Sequence, residues 1–198
     1  MNGVGGDEAL LKSDNRKTPW DWSADGRFIL YNEQDPNTSA DLWALPLSGD
    51  QKPFPFLPTE FAEMHAQFSP DGKWVAYTSN ESGTWQVYVR RFPDTGDKWP
   101  VSTSGGAQAR WRRDGRELFY ISADKKLIAV EVKMDGAAFE ASVPKALFDL
   151  RVPGVLPGPR NWYTVSKDGQ RFLVVTYLEE ATAPPTTVVL NWTAELKR

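Results

Sequence analysis

The sequence predicts an all-β fold made of four copies of one four-stranded unit, on three observations. A tetrapeptide recurs as Ser23-Ala24-Asp25-Gly26, Ser69-Pro70-Asp71-Gly72, Arg112-Arg113-Asp114-Gly115 and Ser166-Lys167-Asp168-Gly169, with the aspartates 46, 43 and 54 residues apart. Large apolar residues keep register around it. Trp22, Phe68, Trp111 and Val165 precede it, Ile29, Val75, Leu118 and Phe172 stand three after each glycine, and Tyr31, Tyr77, Tyr120 and Val174 stand five after. Composition agrees: 13% aromatics with fifteen Pro and fifteen Gly favour short strands joined by tight turns. No 3.6-residue apolar period runs through the chain, which excludes a helical solenoid.

Asp-Gly between two apolar runs marks a hairpin, because Gly accepts positive φ and Asp bonds its own backbone. In the first unit strands are expected at Thr18–Ser23, Arg27–Asn32, Asp41–Leu47 and Lys52–Phe56. In the second they fall at Met64–Ser69, Lys73–Ser79, Trp85–Arg90 and Lys98–Thr103. The third has Gln108–Arg112, Glu117–Ser122, Leu127–Lys133 and a fourth strand within Phe139–Leu147. The last has Trp162–Val165, Arg171–Tyr177 and Thr186–Trp192, and the long interval before it absorbs a Pro/Gly-rich insertion, Val152–Pro159.

Four short strands repeated at about 40–45 residues describe a β-propeller blade. The blades are expected at about 16–58, 61–104, 106–149 and 160–192, with Glu8–Lys12 as an added N-terminal strand. A two-sheet sandwich is the other architecture compatible with the pattern.

The stretch FSPDGKWVAY at Phe68–Tyr77, followed by Ser79-Asn80-Glu81-Ser82-Gly83 and Val87-Tyr88-Val89, resembles the TolB-type, WD-like propeller repeat. Trp99–Gly106, Trp111–Tyr120 and the ending Val188–Arg198 also resemble the C-terminal propeller behind bacterial eukaryotic-like serine/threonine kinases. The resemblance implies a sensor or scaffold propeller of a bacterial signalling protein, extracytoplasmic in some relatives. Kinase activity is not carried over, because no Gly-rich phosphate loop and no His-Arg-Asp triplet occur. The family's propellers usually have more than four blades.

Composition narrows the chemistry. A net charge of -3 without a Lys/Arg cluster disfavours nucleic acid, and no apolar run reaches a membrane span. Met1–Glu8 lacks the basic and apolar regions of a signal peptide. No cysteine and a single histidine, His65, rule out thiolate chemistry and a multi-histidine metal site. No Gly-x-Ser-x-Gly elbow presents a nucleophile. Four turn aspartates spread over four units cannot converge on one calcium ion. No catalytic residue, metal or cofactor is therefore expected.

The binding candidates come from the first strand of each unit, which lines a propeller's channel with alternating side chains. One layer is Asp21, Gln67, Arg110 and Thr164, and the next is Pro19, His65, Gln108 and Trp162. Trp85 and Trp162 stand at loop edges and are candidates for partner contact, whereas Trp22, Trp74 and Trp111 are expected in the core. The function expected is non-catalytic binding of a protein or peptide. The alternatives are an accessory propeller gating a prolyl-oligopeptidase-type hydrolase, and a structural self-assembling repeat. Ring closure is expected either within one chain or across a homodimer with eight blades, the N-terminal strand completing the last unit.

Overall fold

A computed structural model describes residues 9–35, 39–93, 96–153, 156–158, 160–176 and 186–189. Among them the secondary structure is all β, in four antiparallel sheets that follow chain order. The first sheet holds β1 (Lys17–Trp22), β2 (Phe28–Asp35), β3 (Ser39–Pro46) and β4 (Phe54–Leu57). The second holds β5 (Glu63–Phe68), β6 (Trp74–Ser79), β7 (Gln86–Arg91) and β8 (Lys98–Pro100).

The third begins with β9 (Gly106–Trp111), β10 (Glu117–Ser122) and β11 (Lys126–Asp135). The outer strand expected within Phe139–Leu147 is two strands, β12 (Ala138–Ala141) and β13 (Lys145–Asp149). Both pair with β11, whose ten residues take β13 at one end and β12 at the other. The fourth sheet is β14 (Tyr163–Val165), β15 (Phe172–Val175) and β16 (Thr186–Val189).

The repeated tetrapeptide is the β1–β2, β5–β6, β9–β10 and β14–β15 hairpin turn. Gly26, Gly72, Gly115 and Gly169 have φ of +75°, +71°, +74° and +73°. Each donates its N–H to the carbonyl three residues back, as Gly72 does to Ser69 at 2.8 Å. The aspartate completes the turn: the amides of Arg27, Lys73, Arg116 and Gln170 donate to Asp25, Asp71, Asp114 and Asp168. The registered apolar residues are cross-strand partners, Trp22 opposite Ile29, Phe68 opposite Val75, Trp111 opposite Leu118 and Val165 opposite Phe172.

Side chains alternate across each strand, so every sheet has two apolar faces, and consecutive sheets bury them against each other. Leu30, Leu42 and Phe56 of the first sheet meet Phe68, Val75 and Tyr77 of the second. Trp74, Val87 and Val89 meet Trp111, Leu118 and Tyr120 of the third. Phe119, Ile121 and Leu127 meet Tyr163, Phe172 and Val174 of the fourth.

Two expectations are corrected. Trp22 is 59% exposed rather than in the core, although Phe68 and Trp111 at the same repeat position are 6% and 7% exposed. That position packs on the preceding sheet, and the first sheet has none before it among the described residues. Ala9–Lys12 form no strand, Leu10 is 52% exposed, and the fourth sheet contains only β14, β15 and β16 among the described residues. Glu8, the end of the expected last strand and the closing 190–198 segment lie outside the described residues.

Candidate functional site

The first strands of the sheets, β1, β5, β9 and β14, lie side by side in that order. The ladders of β5 and β9 carry a bulge, between Met64 and Gln67 and between Ala107 and Arg110. Inside each bulge one residue takes the left-handed conformation, His65 at φ +55° and Gln108 at φ +61°. Such a φ is uncommon for a non-glycine residue and marks a place where the surroundings over-determine the backbone.

What over-determines it is the insertion between the third and fourth sheets. His65 Nε2 lies 2.7 Å from the Gly158 carbonyl oxygen, so Nε2 carries the proton and donates. Gln108 Nε2 donates to the Arg160 carbonyl at 2.8 Å, and its Oε1 accepts from the Trp162 amide at 2.8 Å. Two of the candidate residues thus bolt a loop across the inner strands. His65 Nδ1 is buried without a partner, and Trp20 packs edge-on against the ring at 4.8 Å. Burial holds the imidazole well below its ordinary range, at about 4, and Arg110 nearby adds to this, so His65 is neutral at pH 7.

The remaining first-layer candidates divide. Asp21 Oδ2 accepts the Phe68 amide at 2.8 Å and so ties β1 to β5; burial raises its pKa. The Gln67 carbonyl accepts Trp111 Nε1 at 3.3 Å, tying the second sheet to the third. Arg110 is buried, donates to the Ala109 carbonyl at 2.7 Å and lies with Cζ 5.9 Å above the Tyr163 ring. Burial lowers its pKa, while Tyr163 and Asp21 oppose that shift. Thr164 is exposed. Trp162 is half-buried against the core between the third and fourth sheets, its Nε1 buried without a partner.

Trp85, the last candidate, lines a cleft of about 420 Å³ with Gly105, Ala107, Ile121, Leu156 and Pro157. Thr84, Thr103 and Ser104 line it with hydroxyls, and Ser122 lines it too with its hydroxyl bonded to Asp124. A second hollow of about 230 Å³ is bounded by Thr18, Trp20, Met64 and Gly158, and Pro157 lines it too. The loop that His65 and Gln108 hold therefore separates two hollows and supplies a wall to each. Sequence reasoning passed over Leu156, Pro157 and Gly158 as loop; the signal for them was the Pro/Gly-rich run that stretches one repeat interval to 54 residues. A larger groove of about 830 Å³ lies along the third sheet, where Arg112 already pairs with Asp114 and Glu117. Among the described residues no group of three potential metal ligands occurs, and no helix is long and apolar enough to cross a membrane.

No protein-family model matches the chain, and no curated protein does. Solved structures do. TolB from Acinetobacter baumannii is 16% identical with a TM-score of 0.70, over 96% of this chain and 44% of that one. A putative TolB from Agrobacterium tumefaciens is 18% identical with a TM-score of 0.54, over 68% and 51%. A Mycobacterium tuberculosis puromycin-hydrolyzing peptidase is 18% identical with a TM-score of 0.63, over 90% and 30%. These likenesses show a TolB-like β-propeller fold. The chain spans about half the length, or less, of the structures it matches.

Proposed function

We propose that this chain is a non-catalytic binding propeller that seats an apolar peptide segment in the Trp85–Pro157 cleft, as the sensor or scaffold part of a bacterial signalling protein. The observation that carries the reading is the cleft itself. An aromatic wall, an aliphatic floor and a hydroxyl rim occupy about 420 Å³, within the roughly 300–1,000 Å³ of small-ligand sites. The apolar part takes a side chain such as proline or leucine, and the rim hydroxyls take the flanking peptide groups. The fold supports a binding role, and the resemblance to kinase-linked propellers supplies the signalling context.

The absence of chemistry belongs to the same proposal. The chain's one histidine is neutral, buried and committed to a main-chain carbonyl, so it is poorly placed to act as a general base.

Phage display of random linear peptides on the purified chain, followed by calorimetry, tests this. Trp85→Ala and Leu156→Asp are expected to weaken the selected peptides at least about tenfold, as truncation of a central aromatic anchor does. Arg27→Ala, in an exposed turn, is expected to leave them unchanged. Selection of no peptide, or equal binding by all variants, overturns the reading. A second reading, an accessory propeller of a prolyl-oligopeptidase-type hydrolase, draws on the likeness to a peptidase. A hydrolase domain in the full-length gene product would favour it.

A further inference from the structure

Repeat-equivalent residues report what covers each face of each sheet. Four residues after the turn glycine stand Leu30, Ala76, Phe119 and Leu173. The first three are 0% exposed because the next sheet covers them, and Leu173 is 42% exposed. Before the turn stand Trp22, Phe68, Trp111 and Val165. The last three pack on the preceding sheet, and Trp22 is 59% exposed. Ile29, opposite Trp22, is half-buried, whereas Val75 and Leu118 at its position are 0% exposed. Deeper on that face Tyr31 and Leu45 are buried, so the open strip is the edge around Trp22 and Ile29.

The two open strips are the two halves of an interface that the chain builds three times internally. One belongs to the first sheet and the other to the fourth. We propose that a second copy of this chain covers both: the fourth sheet of each copy packs on the first sheet of its partner, closing a two-fold ring of eight sheets. Three arguments favour a second copy as the occupant. Trp22 and Leu173 stand at repeat positions that are apolar and covered at the internal interfaces, so each exposes an edge of the kind those interfaces bury. A two-fold arrangement covers both at once and leaves no open end, which a head-to-tail contact requires if it is not to grow into a filament. Nearly all of this chain, 96%, also matches 44% of TolB from Acinetobacter baumannii, so two copies supply about the length of that chain.

Light scattering during size exclusion tests it. The expected mass is twice the chain's 22.3 kDa. Trp22→Glu and Leu173→Glu alter exposed side chains, so each is expected to keep the wild-type far-ultraviolet circular dichroism. Each alone is expected to give a monomer at the same loading concentration. Mixing the two is expected to restore part of the dimer, because one of its two interfaces then joins native Trp22 to native Leu173. A wild-type monomer at millimolar concentration overturns the proposal and leaves the strips to further blades of a longer polypeptide. A dimer that both variants leave intact, or species that grow beyond two copies, also overturns it.

Discussion

Gly72→Val isolates the conformational strain of the repeated turn from every other effect. Gly72 sits at φ +71° and donates its amide to the Ser69 carbonyl at 2.8 Å. A Cβ at this position meets nothing within 4 Å, so the added carbon itself creates no clash and removes no contact. The cost is then the left-handed conformation alone, about 1–2 kcal/mol for an L-residue, with β-branched valine at the upper end. For a chain of this size each kcal/mol lowers the melting temperature by about 2–4 °C. Urea denaturation gives the same quantity as a shift of the midpoint at unchanged slope. Gly72→Asn should recover much of the loss, because asparagine enters the left-handed region more readily than valine. A midpoint unmoved by valine would show that the turn does not need positive φ. Equal losses for valine and asparagine would show that the loss is not conformational.

Two further predictions concern pH, and their signs are opposite. Glu63 is 1% exposed. Burial, reinforced by the Asp41 and Glu81 carboxylates, raises it from 4.5 to about 8, against the hydrogen bond from Thr59 and the charge of Arg90. The folded chain keeps this proton where the unfolded chain has released it, so the contribution is full below pH 4.5 and is lost as pH rises towards 8. Glu63→Gln should flatten that loss in urea midpoints taken between pH 5 and 9, and a slope equal to wild type would refute the assignment. His65 is lowered from 6.5 to about 4 by burial, so the unfolded chain takes up a proton that the folded chain refuses. Stability tied to His65 should fall as pH drops from 6.5 to 4; His65→Gln, which keeps a donor for Gly158, should make that fall shallower, and an equal fall would exclude His65 as its source.

The fold was legible because its turns and its core are written by the same residues. Asp-Gly sets the hairpin, and the residues at fixed distances from it are cross-strand partners, so a regular spacing in sequence is a regular pairing in space. Legibility failed where pairing depends on something outside the repeat. Trp22 has the residue type of a core position, but burial at that position is supplied by the preceding sheet rather than by the residue itself. The outer strand of the third sheet is split in two because β11, at ten residues, is long enough to pair with both pieces. No local pattern within Phe139–Leu147 announces this.

The candidate site was legible as a set of positions and not as a set of roles. Alternation along the first strands selects positions, and it assumes that a polar group at such a position is free to meet a ligand. His65 and Gln108 each make a polar contact within the chain instead. A bulge lets each adopt a left-handed backbone, and an imidazole and an amide, unlike in chemistry, do the same work because each can donate to a carbonyl of one insertion. Pro19, at the equivalent place in the first sheet, is barred from positive φ by its ring. The insertion is thus fastened from the second and third sheets. With these donors used internally, the accessible apolar surface moves sideways to the wall that the same insertion forms with Trp85. A residue picked for its loop-edge position and a loop that stretches the repeat together make the cleft, and neither shows it alone.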